Sequence, residues 1–469
     1  MGLMESDRQR MRADEIAKLD KERALHPELF PERTWADDNE TLEILGIHIP
    51  DKDGLPQGFL KLVPSDFIVE EIADTGYQTT IGESSAGWSD ELGETVYATL
   101  VKCGLSTIEA VEELAKLLGT TKDKIQYAGI KDKDALTSQA VSFRGMTKER
   151  VEAVNSPHLF LKDIRTGKGV VQKGGLKGNR FTILIRIPGD MEDTGRMKKS
   201  LEALEKVRRE GFYNFFYLQR FGTPRLNNYK WGLSILKGEY EKAVIGLIAD
   251  PGLRELPYFL EKRREIIALL PDWAAVLEKL REFPLVFPSE IKVVEHVVNR
   301  PGDFAGALQK IEEQVVLWVS AVASLLYNRT ISAHIMAGME PPKRLPLFLS
   351  FDKNDWLPYA DDLEGAGIFP PNLNTLRPFP KVSLMHKEIE TKDHADIHAT
   401  EVIPEGIIVN FTLGKGEYAT TFLSHFITLL NGRAPEGTGD NIIDTKQILG
   451  QGDSSSVLEY FKELNQPKN

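Results

Sequence analysis

Two carboxylates set among lysines are the residues of this sequence whose types and spacing most plainly allow chemistry. The segment YAGIKDKDALTSQAVSF, residues 127–143, places Asp132 between Lys131 and Lys133, and Asp134 follows. A cation within about 4 to 6 Å favours the ionised form of a carboxylate. An ionised carboxylate in a pocket can act as a nucleophile or as a base. The letters KDKD are also typical of a solvated surface turn, so the residues alone leave both interpretations open.

An aromatic cluster is the second candidate. The segment GFYNFFYLQRFG, residues 211–222, surrounds Asn214, Gln219 and Arg220 with rings, and Phe216 is one of them. Rings stack on the faces of nucleic-acid bases, while amides and guanidinium groups bind base edges. A pocket for a planar base would need this combination. A buried aromatic segment with an arginine at its edge is the alternative.

The common cofactor motifs do not occur in the sequence. The glycine loop KGGLKGNRF, residues 173–181, lacks the G-x-x-x-x-G-K-[ST] pattern of a nucleotide-binding loop. Its glycines and cations could approach an RNA backbone, or they could only shape a hairpin. The sequence has one cysteine, Cys103, and its nine histidines form no H-x-x-x-H pattern on a predicted helix, so a metal site has little support. We therefore expect no cofactor and no metal.

The charge distribution favours a polyanionic partner on one face of the protein. The formal net charge of −12 argues, taken alone, against a nucleic-acid partner. Residues 121–186, however, hold 14 Lys plus Arg against 6 Asp plus Glu, a local balance of +8. A basic face on an acidic protein is typical of local phosphate contact. A solvated charged surface would give the same count.

One helix is signalled clearly just before the carboxylate segment. In STIEAVEELAKLLG, residues 106–119, Ser106 and Glu109 form a capping box, and Gly119 provides the stop. Its apolar stripe consists of Ile108, Val111, Leu114, Ala115 and Leu118.

The remaining pattern predicts an α+β fold that is interrupted by an insertion. Residues 131–137 should form a loop beside a sheet, and RFTILIRI, residues 180–187, alternates like a half-buried antiparallel strand. From residue 223 to about residue 340 the pattern is mostly helical. The apolar run at 315–327 is shorter than the roughly 20 residues of a membrane span, so it predicts a buried helix.

The first residues are charged and contain no apolar core of a signal sequence. A single cysteine fits a reducing compartment. We therefore expect a cytoplasmic protein without a membrane partner.

The sequence resembles the TruD family of tRNA pseudouridine synthases. Five segments are similar to family motifs: KLVPSDFIVEE, AGIKDKDALTSQAVS, GGLKGNRFTILIR, NFFYLQRFG and LGKGEYATTFL. The second contains the whole G-x-K-D-x-x-A-x-T-x-Q signature, at Gly129, Lys131, Asp132, Ala135, Thr137 and Gln139. The long N-terminal helix and the size of the insertion look more like archaeal members than the shorter bacterial ones.

The resemblance implies roles for the matched residues. Asp132 corresponds to the family's catalytic aspartate, and Phe216 to the aromatic residue that stacks near the target uridine. Asn214 matches an active-site asparagine, and Lys61 falls at the family's N-terminal lysine. Asp134 has no counterpart in the family pattern.

Three further residues complete the substrate-binding set that the resemblance implies: Lys131, Gln219 and Arg220. Among the cations beside Asp132 we expect Lys131 to keep that carboxylate ionised and to hold nearby phosphates. Two positions depart from the family pattern, because Tyr217 and Leu347 stand where glycine is usual.

The resemblance also implies the architecture. A pseudouridine synthase catalytic domain with an antiparallel sheet would carry an inserted, mostly helical TRUD domain. The expected divisions are a charged N-terminal helical appendage at 1–50, the catalytic domain at 51–222 and 396–436, the insertion at 223–395, and a C-terminal tail at 437–469.

The implied activity is the isomerisation of one uridine of tRNA, uridine 13, to pseudouridine, with no obligatory protein partner. This chemistry needs no redox or phosphate donor. A non-catalytic RNA-binding or RNA-folding protein on the same scaffold is the alternative, since it would keep the basic strip and the aromatic cluster without needing Asp132. A nucleotide hydrolase would need a Walker lysine or metal ligands.

Overall fold

The computed structural model of the chain describes residues 5–82, 92–189, 194–439 and 441–466. The chain divides into two compact units. The sheet unit consists of Thr34–Asp38, Pro50–Asn214 and Lys392–Asn469. The helical unit consists of Met1–Arg33, Asn39–Ile49 and Phe215–Thr391.

The strands follow one another along both units. They are β1 Thr34–Ala36, β2 Gln57–Phe59, β3 Phe67–Ala73, β4 Thr95–Lys102, β5 Ile125–Tyr127, β6 Leu136–Arg144, β7 Leu159–Gly167, β8 Leu176–Arg186, β9 Phe212–Tyr213, β10 Arg344–Pro346, β11 Glu388–Glu390, β12 Lys392–Asp393, β13 Asp396–Ile403, β14 Gly406–Gly414 and β15 Thr428–Gly432.

One sheet dominates the sheet unit and, within the described ranges, contains eleven of these strands. Its order is β1-β15-β2-β8-β3-β6-β4-β7, with β14 also beside β8, β13 beside β14, and β5 beside β6. The pairs β2–β15 and β3–β6 are parallel, and the other pairs of this sheet are antiparallel. The predicted α+β class is confirmed, with a sheet that is mostly rather than wholly antiparallel.

The helices belong to both units. They are α1 Glu5–Leu25, α2 Asn39–Ile44, α3 Thr107–Leu117, α4 Lys148–Glu152, α5 Thr194–Glu210, α6 Leu218–Phe221, α7 Asn228–Leu236, α8 Tyr240–Ala249, α9 Pro257–Ile267, α10 Trp273–Leu280, α11 Pro288–Asn299, α12 Phe304–Gln309, α13 Glu312–Met336, α14 Ala360–Gly365, α15 Ala419–Leu423, α16 Thr445–Ile448 and α17 Ser455–Tyr460.

Helix α13 lies at the core of the helical unit. Trp318 on α13 contacts Trp231 on α7 edge to face, with ring centroids 4.9 Å apart. Gly232 allows this close approach, because an added Cβ would collide with the carbonyl oxygen of Trp318. Among the described residues α13 is the one helix long and apolar enough to cross a membrane by length and composition, yet 72% of its apolar window is buried in the protein. The buried helix predicted at 315–327 is confirmed.

The N-terminal residues differ from the prediction of an appendage. Helix α1 packs into the helical unit, where the Glu15 carboxylate accepts hydrogen bonds from the backbone N–H groups of Leu285 (2.7 Å) and Val286 (3.0 Å). The chain passes from the sheet unit to the helical unit after residue 214 and returns after residue 391. The predicted limits of the insertion are 223 and 395. The division into a catalytic and an inserted domain stays a prediction.

The C-terminal tail also joins a compact unit. Lys446 on α16 forms a buried ion pair with Glu70 on β3 at 2.5 Å, and Phe461 packs into a core cluster of the sheet unit.

Helix α3 confirms the capping prediction and corrects the apolar stripe. The Ser106 hydroxyl accepts from the Glu109 N–H at 3.2 Å, and Glu109 accepts from the Ser106 N–H at 2.8 Å. Ile108 is 49% exposed, whereas Ala110, which we did not include in the stripe, is fully buried.

Strand β8 corrects the prediction of a half-buried strand. Thr182, Leu184 and Arg186 are as buried as the isoleucines between them. Arg186 is accommodated by the carboxylate of Asp66, which accepts hydrogen bonds from its Nε and Nη2 atoms at 2.8 and 2.7 Å. Both faces of this central strand are therefore covered.

We expect Arg186→Met to lower the free energy of unfolding by about 3 to 5 kcal/mol, because it leaves the Asp66 carboxylate buried without its cation. Urea denaturation measures the change. Arg208→Ala is the matched control: Arg208 pairs with Glu205 on the exposed face of α5, and its loss should cost less than about 1 kcal/mol. Equal effects of the two substitutions would contradict this account.

Candidate active site

Asp132 lies in the loop between β5 and β6, where the sequence predicted a loop beside the sheet. Its side chain is 54% exposed, while Ala135, at the end of the loop, is fully buried. The loop therefore exposes Asp132, Lys133 and Asp134 to solvent, between the buried residues Lys131 and Ala135.

Hydrogen bonds between Thr107 on α3 and the signature residues Lys131, Gln139 and Gly129 hold this loop. The Thr107 hydroxyl accepts from the backbone N–H of Lys131 at 2.8 Å and donates to Gln139 Oε1 at 2.8 Å. The side-chain amide of Gln139 in turn donates to the carbonyl oxygen of Gly129 at 3.0 Å. Thr107 and Gln139 are fully buried, so these bonds are protected from competing water.

Lys131 does not occupy the place that we predicted for it. Its ammonium is buried and lies 2.6 Å from Glu71 Oε2, and it donates to Asn179 Oδ1 at 2.8 Å. Glu71 and Asn179 face one another on β3 and β8. Lys131 thus ties the loop to two strands. The expectation that it contacts phosphate is corrected, because its side chain is only 4% exposed.

Lys133 also points to a partner other than Asp132. Its ammonium lies 2.7 Å from Glu109 Oε1 on α3. The hydrogen bond from Lys133 is the main cause that lowers the pKa of Glu109 to about 2.

The cation at Asp132 is Lys61, which is distant in sequence. Its Nζ atom lies 3.0 Å from Asp132 Oδ2 and 4.1 Å from the ring centroid of Phe67. The backbone of Lys61 has φ of +59°, a left-handed conformation that is uncommon for residues with a side chain. Such strain is often found where a site fixes a functional side chain. The structure thus brings together two of the predicted site residues, Lys61 and Asp132.

Lys102 is a contact of Asp132 that the sequence did not reveal. It is the last residue of β4, is fully buried, and donates from Nζ to the carbonyl oxygen of Asp132 at 2.8 Å. The apolar letters of VYATLVK gave no sign of this role. The signal would have been a lysine at the end of a buried strand.

Asn214 follows β9 directly and is half-buried in the sheet unit. Strand β9 pairs with β12, and the N–H of Tyr213 donates to His425 Nε2 at 3.1 Å. His425 is buried, and burial lowers its pKa to about 4, so its ring is neutral at pH 7 and can accept this bond.

Phe216 belongs to the helical unit and is 9% exposed. Its backbone is held by Asn328, which accepts from the Phe216 N–H at 3.0 Å and donates to its carbonyl oxygen at 2.9 Å. Its ring contacts Tyr327 edge to face, with centroids 5.2 Å apart. The Arg220 guanidinium carbon lies 5.1 Å from the Phe216 ring centroid, so these two predicted residues also lie together.

In the NFFYLQRFG motif, Tyr217 immediately precedes helix α6, and Gln219 and Arg220 lie within it. Gln219 is exposed and Arg220 is half-buried. Tyr217, where the family usually has glycine, precedes α6 with φ of −90° and ψ of −175°. Any residue adopts this extended conformation, so the backbone at this position does not need glycine.

Within the described residues we find no group of three His, Cys, Asp or Glu side chains placed to hold a metal ion. The expectation that the protein uses no cofactor stays a prediction.

A comparison with protein families decides the relationship of this chain. The family model of tRNA pseudouridine synthase D (TruD) matches residues 46–346. The chain belongs to the TruD family. The matched range contains Lys61, Asp132, Asn214 and Phe216, and the family prediction is confirmed.

Individual relatives and one solved structure agree with the family assignment. "Probable tRNA pseudouridine synthase D 1" of Methanocaldococcus jannaschii is 30% identical over 62% of this chain and 72% of its own length. "tRNA pseudouridine synthase D" of Geobacter sp. (strain M21) is 30% identical over 59% of this chain and 65% of its own length. The crystal structure of the "Putative tRNA pseudouridine synthase D (TruD)" from Methanosarcina mazei matches with a TM-score of 0.65 and 23% identity, covering 82% of this chain and 97% of the other. That likeness supports the fold.

Membership of the TruD family confirms the predicted enzyme class, because pseudouridine synthases are isomerases. TruD relatives are found here in both archaea and bacteria. The roles of individual residues stay predictions.

We expect Lys61→Gly to be more stable than Lys61→Ala by about 1 kcal/mol. Both substitutions remove the ammonium at Asp132, but only glycine adopts a φ of +59° without steric cost. Urea denaturation of the two variants measures the difference. A Lys61→Ala variant as stable as Lys61→Gly would mean that the backbone is not strained there.

Proposed function

We propose that this protein converts uridine 13 of tRNA to pseudouridine and that Asp132 is its catalytic residue. The reaction breaks the bond between N1 of uracil and C1′ of the ribose, rotates the base, and joins C5 to C1′. The proton on C5 is lost and N1 gains one, so the product is an isomer of the substrate. No donor or acceptor molecule is consumed. Membership of the TruD family is the observation that carries the proposal.

The geometry of the loop supports the role of Asp132. Its carboxylate is exposed enough to meet a substrate, and Lys61 lies 3.0 Å away. Attack on C1′ and removal of the 2′ proton both need a carboxylate that the substrate can reach. Lys131 holds the same loop against the sheet through its buried ion pair with Glu71.

The substrate must leave its stack before Asp132 can reach the sugar. Extrusion of a nucleotide costs a few kcal/mol, which enzymes offset by stacking and by hydrogen bonds to the base edge. We assign the stacking contact to Phe216 and the polar contacts to Asn214, Gln219 and Arg220. The aromatic ring next to a guanidinium supports this assignment, because both groups bind base faces.

Asp132→Asn should abolish pseudouridine formation, with a loss of at least about a thousandfold in rate, because the amide is neither a nucleophile nor a base. Asp134→Asn is the matched control, since it removes one negative charge two residues away in the same loop. We expect its rate to stay within about threefold of the wild type. Chemical labelling of pseudouridine followed by primer extension on a tRNA transcript measures both.

Substitution of the substrate tests the position. A transcript with cytidine in place of uridine 13 should receive no pseudouridine, while the unmodified transcript should receive one at position 13. Modification at another uridine would keep the enzyme class and overturn the position. RNA binding without modification by wild-type protein would favour the alternative of a non-catalytic RNA-binding protein.

A further inference from the structure

A buried lysine holds the backbone of the proposed catalytic residue. The Nζ atom of Lys102 donates to the carbonyl oxygen of Asp132 at 2.8 Å and to the carbonyl oxygen of Leu105 at 2.7 Å. The residue is fully buried. A fully buried ammonium is rare, because it loses its hydration, and hydrogen bonds inside the protein must compensate for that loss.

The strand register explains why Lys102 reaches this loop. Lys102 ends β4 and lies directly opposite Thr137 on β6. Asp132 precedes Thr137 by the length of the loop, so the lysine side chain extends from the end of one strand to the loop that leads into its neighbour. The carbonyl group of Leu105 belongs to the segment that follows β4, and that of Asp132 to the loop that precedes β6, so the ammonium links these two segments.

We propose that Lys102 is a positioning residue for Asp132, whose backbone it fixes so that the carboxylate is presented to the substrate in one orientation. Lys61 contacts the carboxylate from the solvent side, whereas Lys102 binds the main chain from the buried side. An error of about 1 Å in the position of a catalytic group can cost a hundredfold in rate. This inference rests on the proposed function for its activity readout.

The charge of Lys102 adds to its hydrogen bonds. Burial lowers its pKa to about 8, while the charged groups around it, Asp132, Lys131 and Glu109, act in both directions. Cys103 is the fourth such group, but burial raises its own pKa to about 12, so the thiol is neutral below that pH. Above pH 8 the ammonium becomes an amine. Its bond to the Asp132 carbonyl then changes from a charge-assisted bond to a neutral one of roughly half the strength.

Lys52 provides a matched control in the same unit. It is 3% exposed, donates from Nζ to the carbonyl oxygens of Ser424 (3.0 Å) and Ile427 (3.3 Å), and has a pKa lowered to about 8 by burial. Met in place of either lysine keeps an unbranched apolar side chain and removes the ammonium donor from two carbonyl groups. The two variants therefore lose the same kind of interaction at different places.

We expect Lys102→Met to lower kcat by about 10- to 100-fold with KM for tRNA within about threefold, because the loop orients Asp132 and not the RNA. Lys52→Met should leave kcat within about threefold of the wild type. Lys102→Gln keeps an amide donor without charge and should recover part of the loss. If Lys102→Met does not fold, Lys102→Gln carries the comparison. A folded variant at Lys102 with wild-type kcat, or an equal loss in Lys52→Met, would overturn the proposal.

The pH profile separates positioning from a general structural effect. Between pH 7 and pH 9.5 the wild-type kcat should fall several-fold with a midpoint near 8, as Lys102 loses its proton. Lys102→Gln has no such proton, so its profile should lack this component. A decline of the same size and midpoint in Lys102→Gln would come from the substrate or another group and would contradict the proposed role of the charge.

Hydrogen–deuterium exchange tests the same inference without activity. Backbone amides in peptides covering residues 128–136 should exchange at least about tenfold faster in Lys102→Met, or in Lys102→Gln, than in the wild type, and no faster in Lys52→Met. If the wild type makes no pseudouridine, the proposed function fails, while exchange still decides whether Lys102 holds the loop. Unchanged exchange in a folded Lys102 variant would show that it does not.

Discussion

The buried ion pair between Lys131 and Glu71 is the constraint on which the geometry of the candidate site depends. Removing two charges from water costs several kcal/mol for each ion, and their attraction offsets this only if the remaining polar atoms find partners. Here Glu71 Oε1 accepts from the N–H of Ala140 at 3.1 Å, and Lys131 donates to Asn179. These partners lie on β3, β6 and β8, which are neighbours in the sheet. Through Lys131, the loop that carries Asp132 therefore cannot move without breaking contacts to two of these strands, β3 and β8.

The same part of the structure holds the main chain from which the exposed Asp132 carboxylate projects. Side chains at a surface usually sample several rotamers, and their ordering costs entropy. At Asp132 the main chain is held by two buried groups, by Thr107 at the preceding residue and by Lys102 at the residue itself. The strained backbone of Lys61 then places an ammonium on the solvent side. Strain of this kind persists only where the surrounding contacts over-determine the conformation.

Sequence patterns predict local features of this protein better than they predict contacts between residues that are distant in the chain. The sequence correctly predicts the loop at Asp132, the cap of α3 and the buried helix α13, because these features depend on residues near one another in the chain. Which lysine contacts the Asp132 carboxylate depends on how the loop lies against the sheet. Adjacency in sequence therefore gave the wrong prediction for Lys131, which contacts Glu71. The prediction that β8 is half-buried was wrong for the same reason. Alternation predicts one buried and one exposed face, but it does not reveal that β8 is a central strand whose Arg186 pairs with the buried carboxylate of Asp66.

The cations around Asp132 differ in their access to water, and this separates their dependence on salt. The attraction between Lys61 and Asp132 acts through partly exposed groups and weakens as ions screen it, with a Debye length of about 8 Å at physiological ionic strength. Binding of a polyanion such as tRNA also weakens with salt, because it depends on the release of counterions. Lys131 and Lys102 are buried, where mobile ions do not reach. The main chain of the loop should therefore keep its geometry at ionic strengths that reduce RNA binding, so salt changes how often a substrate arrives rather than how Asp132 is presented to it.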